Sequence, residues 1–357
     1  MGWGGTHPPI YPPPPFGLAT IAEGSASIPV LPMHASTTVN AGKPLAVCGM
    51  HRSGTSLTAS ILQAAGLCMG DTLLGPGPGN PAGHFEDVDF LQLHIRALRA
   101  QGLGDEGYAT NVRPELPPTL ERGALDLVAA RAAAAGDGAW GWKQPRTVLF
   151  LDFWARLLPA ARFAFVFRNP WDVADSLFRR GDESFVLNPR LAIEVWLQYN
   201  RRIEMAVRRM RDRSVIRETS QVVEDPEGFR RDVETLLGTP LQSPVQTFRP
   251  ELFHTHDPCH LSALVRAVSP EAYDLYLRLR RLARSTAPLP PPVRTRIGAA
   301  AVENELLAWS IAARRGIDYR PDLPAPDEGH WLKRLPVALQ FAVQGAAAGP
   351  RRLGGAD

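Results

Sequence analysis

One junction constrains this chain more than any other. The apolar run Pro44-Leu-Ala-Val-Cys48 stops at Gly49, and from Thr55 onward Leu57, Ile61, Leu62 and Ala65 recur at helical spacing. Between them lies Gly49-Met-His-Arg-Ser-Gly-Thr-Ser56, with glycines at both ends of a four-residue spacer. A strand that turns through a glycine-bounded loop straight into a helix is an opening unit of an α/β fold with a parallel sheet.

The chain continues that alternation. After a Gly- and Pro-rich loop at 70–83, Phe90, Leu91, His94, Ile95 and Leu98 mark one face of a helix over 88–103. A short strand is expected over 138–143 and a helix over 149–158. Arg162 to Arg168 is continuously apolar in its middle and bounded by Pro159 and Asn169-Pro170, the pattern of a central strand buried on both faces. Helices follow over 171–180 and 189–213, a strand over 214–217, and a helix over 226–237 closed by Gly238. Beyond residue 258 the pattern turns helical, with a Pro-rich break at 288–292.

Composition limits what surrounds this core. The 357 residues include 31 glycines and 34 prolines, yet 45% hydrophobic and 21% charged residues are ordinary globular values, so the surplus is local. Residues 1–41, with clustered prolines and almost no charge, read as a disordered tail, as do residues 346–357. A net charge of +3 argues against wholesale nucleic-acid binding, so any anion site has to be built locally. Cys48, Cys68 and Cys259 are odd in number and widely spaced, which fits neither a disulfide framework nor a structural zinc site. No basic segment precedes an apolar one, and Pro8, Pro9 and Pro12 to Pro15 interrupt the start, so a cytoplasmic protein without a membrane span is expected. Lys43, Lys143 and Lys333 are the only lysines.

The loop has the chemistry of a phosphate cradle. Glycines let backbone N–H groups curl round an anion, the helix presents its positive end, and Ser53, Thr55 and Ser56 add hydroxyls. Thr55 stands where a Walker A loop has its lysine, and the nearest cation is Arg52, which disfavours an ordinary ATPase or kinase. The segment also fits a glycine-containing turn with no ligand. A second cluster, Arg168-Asn-Pro-Trp-Asp-Val-Ala-Asp-Ser176, puts a cation at a strand end and a hydroxyl in the next helix, where open α/β sheets collect ligands. Its plainer reading is that Arg168 pairs with Asp172 or Asp175. Together the two sites suggest a nucleotide with two separated phosphates.

These segments resemble the sulfotransferases that use 3′-phosphoadenosine 5′-phosphosulfate. Gly49 to Ser56 is similar to their 5′-phosphosulfate loop, and Phe165 to Ser176 to their 3′-phosphate segment. Gly141-Trp-Lys-Gln-Pro-Arg146 is similar to the Lys-Asp-Pro strand end of tyrosylprotein and related sulfotransferases, and Glu218 with Glu224-Asp-Pro226 to their late strand and turn. The resemblance covers roughly residues 42–255 and implies a three-layer parallel α/β sheet of the P-loop NTPase-like type, taken as a domain over 42–257, while the helical pattern beyond it is expected to form an extension over 258–345 packed on that domain. It implies that Arg52, Ser53, Gly54, Thr55 and Ser56 hold the 5′-phosphosulfate, that Arg168 and Ser176 bind the 3′-phosphate, and that Lys143 touches the leaving bridge oxygen. Gln144 departs from the usual Asp, and no Arg-Lys-Gly motif appears at 240–260, where His254 and His256 are the substitutes at hand.

The implied reaction moves a sulfuryl group to a hydroxyl or amine of a glycan, lipid or small molecule by in-line displacement, with loop amides, Arg52 and Lys143 supplying the positive field and no metal required. The proton acceptor is assigned to Glu86, with His84 and then Asp87 behind it; the acidic pair also fits first-turn charges favoured by a helix dipole. Arg201, Arg202, Arg208, Arg209, Arg211 and Arg213 read as a solvated helix face or, less simply, as a guide for an anionic acceptor. Trp140, Trp142, Trp171 and Trp196 read as core before they read as a platform for a sugar or aromatic acceptor. The competing functions are an atypical nucleotide or small-molecule kinase and a non-catalytic nucleotide-binding homologue.

Overall fold

The structure is a computed structural model and describes residues 42–77, 83–108, 110, 112–243, 258–289 and 299–319. The expected tails at 1–41 and 346–357, and His254 and His256, lie outside the described residues. The elements run β1 (Leu45–Cys48), α1 (Thr55–Ala64), β2 (Leu73–Leu74), β3 (Glu86–Asp87), α2 (Val88–Arg99), α3 (Pro118–Ala135), β4 (Gly141–Lys143), α4 (Leu151–Leu157), β5 (Arg162–Phe167), α5 (Pro170–Arg180), α6 (Glu183–Leu187) and α7 (Arg190–Arg209). They continue with β6 (Ser214–Glu218), α8 (Thr219–Glu224), α9 (Pro226–Leu237), α10 (Pro258–Val268), α11 (Pro270–Ala283) and α12 (Ala299–Arg314).

The main sheet is parallel throughout, in the order β4-β1-β5-β6, with Val47 opposite both Lys143 and Ala164. Both faces are covered, as the continuous apolar strands require. On β1, Ala46 and Cys48 enter one core while Leu45 and Val47 enter the other, and on β5 the rings of Phe163, Phe165 and Phe167 oppose the small Ala164. The large side faces helices α2, α4, α5, α7 and α10 to α12 through residues such as Phe90, Trp154, Val173, Trp196, Leu264, Leu275 and Trp309. The small side takes α1, α8 and α9 through Leu57, Val222 and Phe229. Each fully buried phenylalanine contributes roughly 1.5–3 kcal/mol of burial, so this β5 side anchors the larger core.

Two local departures from the sequence reading have physical causes. The 18-residue α3 falls where the sequence reading assigned no element: its apolar residues are mostly alanines spread round the helix, and only Ala124 and Val128 are buried. The expected helix over 149–158 is preceded by a 3₁₀ turn at Pro145–Phe150, opened by the Gln144 side-chain oxygen accepting from the Arg146 amide before α4 begins. The four tryptophans weighed as an acceptor platform are core, with Trp142 and Trp196 fully buried.

Helices α10 to α12 pack on the sheet domain through buried polar contacts as well as apolar ones. Trp309 Nε1 donates to Asp175 Oδ1 of α5 at 3.0 Å, and the Tyr276 hydroxyl donates to Glu218 Oε1 at the end of β6 at 2.7 Å. Among the described residues no helix is long and apolar enough to cross a membrane.

Candidate active site

Every parallel strand ends at the same edge, and each end delivers a polar segment. β1 runs into the Gly49–Ser56 loop, β4 ends on Lys143, β5 is followed by Arg168, and β6 ends on Glu218, with Thr219 opening α8. This is the edge at which open parallel sheets bind ligands.

The loop after β1 is held in a shape few residues tolerate. A Cβ on Gly49 would lie 2.4 Å from the Val166 carbonyl oxygen, and Gly54, at φ 79°, is pressed against Thr219. Arg52 also sits in the left-handed region, at φ 67°, a conformation that costs an L-residue roughly 1–2 kcal/mol and persists only where neighbours impose it. Those neighbours are identifiable. The Thr219 hydroxyl donates to the carbonyls of Ser53 at 2.7 Å and Phe167 at 3.0 Å, tying the loop to β5 and β6. Ser53 is fully buried with no partner for its hydroxyl among the described residues, and α1 starts with no side-chain cap. An uncapped helix start behind a glycine-bounded loop suits an anion.

Arg52 links the two segments that the sequence reading paired. Its Nε donates to the Ser176 hydroxyl at 2.7 Å, and burial, then the charges of Arg180 and Arg168, lowers it to about 10, still a cation at neutral pH. Arg168 pairs with Asp172 Oδ2 at 3.1 Å, while Asp175 pairs with Arg179 at 2.6 Å. Asn169 caps α5 by accepting from the Asp172 amide at 2.8 Å, which orients this pair at the strand end.

Glu86 and Lys143 meet inside the same edge. Lys143 Nζ donates to Glu86 Oε1 at 2.9 Å and to the His84 carbonyl at 3.0 Å, with the Ser56 hydroxyl at 3.5 Å. Gln144 Nε2 donates to Glu86 Oε2 at 2.9 Å, and Arg146 stands 3.9 Å from that oxygen. Burial pushes the Glu86 carboxyl up, but the charge and hydrogen bond of Lys143, with Arg146, outweigh it and leave it below the ordinary carboxylate range. Burial pulls Lys143 below its ordinary value even though Glu86 opposes this. Gln144, the departure from the usual Asp, adds a donor to Glu86 where an acid would repel it.

The other acid and base candidates separate. Asp87 is fully buried, caps α2 by accepting from the Asp89 amide at 2.9 Å, and pairs with Arg131 at 2.6 Å, so it holds structure together. His84 contributes its carbonyl to Lys143, and burial holds its half-buried ring below the ordinary histidine value. The arginines of α7 are largely engaged within the protein: Arg201 with Glu271, Arg208 with Glu204, Arg209 with Asp152, and Arg202 with the Val112 carbonyl at 2.9 Å.

Sequence reasoning missed three groups. Arg180, with Asp182 and Tyr108, comes from the far end of α5, and no spacing signal connects it to the loop. Arg146 and His51 lay inside quoted motifs, but nothing local says that Arg146 reaches Glu86 or that His51 turns toward Tyr108 and Tyr199, at ring distances of 5.8 and 6.1 Å. Among the described residues no cluster of His, Cys, Asp and Glu could hold a metal ion.

A model of the sulfotransferase family matches residues 44–243, more than half of the chain. No curated protein matches the sequence. Solved structures to which the chain is similar include a sulfotransferase from Mycobacterium avium, 16% identical, covering 78% of this chain and 78% of that one with a TM-score of 0.44. Another is a sulfotransferase from Mycobacterium tuberculosis, 13% identical over 70% of this chain and 78% of that one, TM-score 0.43. A third is the sulfotransferase domain of a Synechococcus olefin synthase, 18% identical over 79% of this chain and 97% of that one, TM-score 0.35.

Proposed function

The chain belongs to the sulfotransferase family, and from that premise we propose that it transfers a sulfuryl group from 3′-phosphoadenosine 5′-phosphosulfate to a hydroxyl or amine by in-line displacement. The observation that carries this reading is the junction of two anion-suited segments through Arg52 and Ser176. The residues fit the donor: a buried Ser53 hydroxyl without a partner, two glycine positions that admit no side chain, and a set of cations at one sheet edge.

When bound, the donor supplies the sulfuryl group and a phosphate leaving group. Arg52, Ser53, Gly54, Thr55 and Ser56 receive the 5′-phosphosulfate, and Arg168 and Ser176 the 3′-phosphate. Lys143 offsets charge on the departing phosphate, and Glu86 takes the proton of the acceptor. The ion pair suits that division, since a lysine drawn toward the leaving group releases the carboxylate beside it. On this reading residues 42–257 carry the transfer site, and α10 to α12 buttress it through Glu218 and Asp175.

Ligand-dependent melting tests the reading. Adenosine 3′,5′-bisphosphate at 100 times its dissociation constant should stabilise the fold by about 2.7 kcal/mol, and ATP with Mg²⁺ by much less. A larger shift with ATP and Mg²⁺ makes the protein a kinase instead.

A further inference from the structure

His51 has no part in the chemistry above, yet it stands in the phosphate loop itself. Its imidazole hydrogen-bonds the backbone of Glu106, while Nε2 is buried with no partner among the described residues. The bond to Glu106 therefore uses Nδ1, and a histidine that donates from Nδ1 to a carbonyl leaves a bare lone pair on Nε2. The nearby hydroxyls do not satisfy it, since Tyr108 donates to Asp182 at 3.0 Å and Tyr199 to the Gly107 carbonyl at 3.2 Å. Burial, then Arg146, Arg180 and Lys143, keeps the ring neutral by holding it well below the ordinary histidine value. Nε2 is thus a fixed hydrogen-bond acceptor.

The surrounding chemistry narrows what can face it. Lys143, Arg146 and Arg180 carry only donors, which suit the oxygens of phosphate and sulfate. Ionised phosphate and sulfate oxygens carry no proton, so the phosphosulfate end of the donor, which this loop would hold, has nothing to give Nε2. A group that bonds there brings an O–H or N–H of its own. Glu86, the other acceptor beside Lys143 and Arg146, takes the nucleophilic hydroxyl in the reading above, on which this inference rests. We propose that Nε2 of His51 receives a hydrogen bond from a second hydroxyl of the acceptor, so that the site selects a polyol with one hydroxyl at Glu86 and its neighbour at His51. His51 is then a specificity-determining residue for polyhydroxylated acceptors, carbohydrates among them.

The test begins with calorimetry of adenosine 3′,5′-bisphosphate on the intact wild-type chain, because absence of binding there removes the donor reading before any variant is compared. Consumption of 3′-phosphoadenosine 5′-phosphosulfate is then followed with 1,2-propanediol and with 1-propanol at equal concentration. One neutral hydrogen bond predicts about a fivefold preference for the diol. His51→Asn keeps an N–H for Glu106 but has no acceptor at the Nε2 position, and should lose the preference with bisphosphate affinity unchanged. His51→Gln, whose amide oxygen reaches that position, should recover it. A wild type with no preference, or a preference that survives His51→Asn, overturns the proposal. Should the variants fail to fold, ¹⁵N spectra of the wild type decide: a bare Nε2 in the bisphosphate complex is expected, and a proton on Nε2 overturns it.

Discussion

Arg52 Nε lies 2.7 Å from the Ser176 hydroxyl, joining the loop after β1 to the helix after β5 across 124 residues of sequence. The contact joins a strained loop cation to an α5 hydroxyl, and on the proposed function the two ends of a bisphosphate would be read by different residues. Arg168→Ala should weaken adenosine 3′,5′-bisphosphate by a charge-assisted contact, about 1.5–3 kcal/mol, and leave adenosine 5′-phosphosulfate nearly unaffected. Calorimetry with both ligands checks it; equal losses make Arg168 a structural partner of Asp172 only.

Lys143 and Glu86 are predicted to fail in different ways. Lys143→Met retains the stem without the cation, and turnover should fall by about 10²–10³ with a smaller loss of bisphosphate affinity. Glu86→Gln should cost about 10²–10⁴ in rate with donor affinity nearly intact. It also leaves Lys143 buried without its carboxylate, so a fall in melting temperature is expected as well. If Glu86→Gln keeps full activity while His84→Ala does not, the proton goes to His84.

Stability should fall in mild acid because of His94. This ring is fully buried, accepts from Trp154 Nε1 at 3.0 Å, and is lowered by burial and then Arg146 to about 3. The unfolded ring takes a proton below about 6.5 and the native ring does not, so unfolding gains from protonation as the pH drops between those values. The cost at pH 5 is about 2 kcal/mol. His94→Gln keeps an acceptor for Trp154, and chemical denaturation at pH 7.5 and pH 5 should show a loss smaller by about that amount.

Two glycine-to-alanine changes should act in opposite directions. At Gly49 the added carbon meets the backbone oxygen of Val166 at 2.4 Å, and backbone cannot step aside, so the melting temperature and bisphosphate binding both drop. At Gly123, exposed within α3 with nothing within 4 Å, alanine should stabilise by about 0.4–1 kcal/mol through the unfolded chain. Thermal melts of the pair decide.

The helices beyond residue 258 should contribute stability without touching the donor. Trp309→Phe keeps the ring packing but withdraws the indole N–H from the buried Asp175 oxygen, a loss of about 1–3 kcal/mol. Bisphosphate affinity should stay within twofold, by calorimetry, once the protein is folded, about 0.4 kcal/mol at most.

What the sequence determined by itself was local: the strand-loop-helix at Cys48–Thr55, the aromatic strand at 162–168, and the polar segments that follow them. These were legible because apolar periodicity and glycine spacing act between near neighbours, and because a chain with strands alternating with helices has few ways to bury both. The strand order, which brings Lys143 beside β1 and Thr219 under the loop, was decided by tertiary packing. So were the pairing of Glu86 with Lys143, the isolation of Asp87 on Arg131, and the bare nitrogen of His51. Such features depend on which distant groups share a buried space, where each polar atom must find a partner or go without, and residue spacing along the chain carries no record of that.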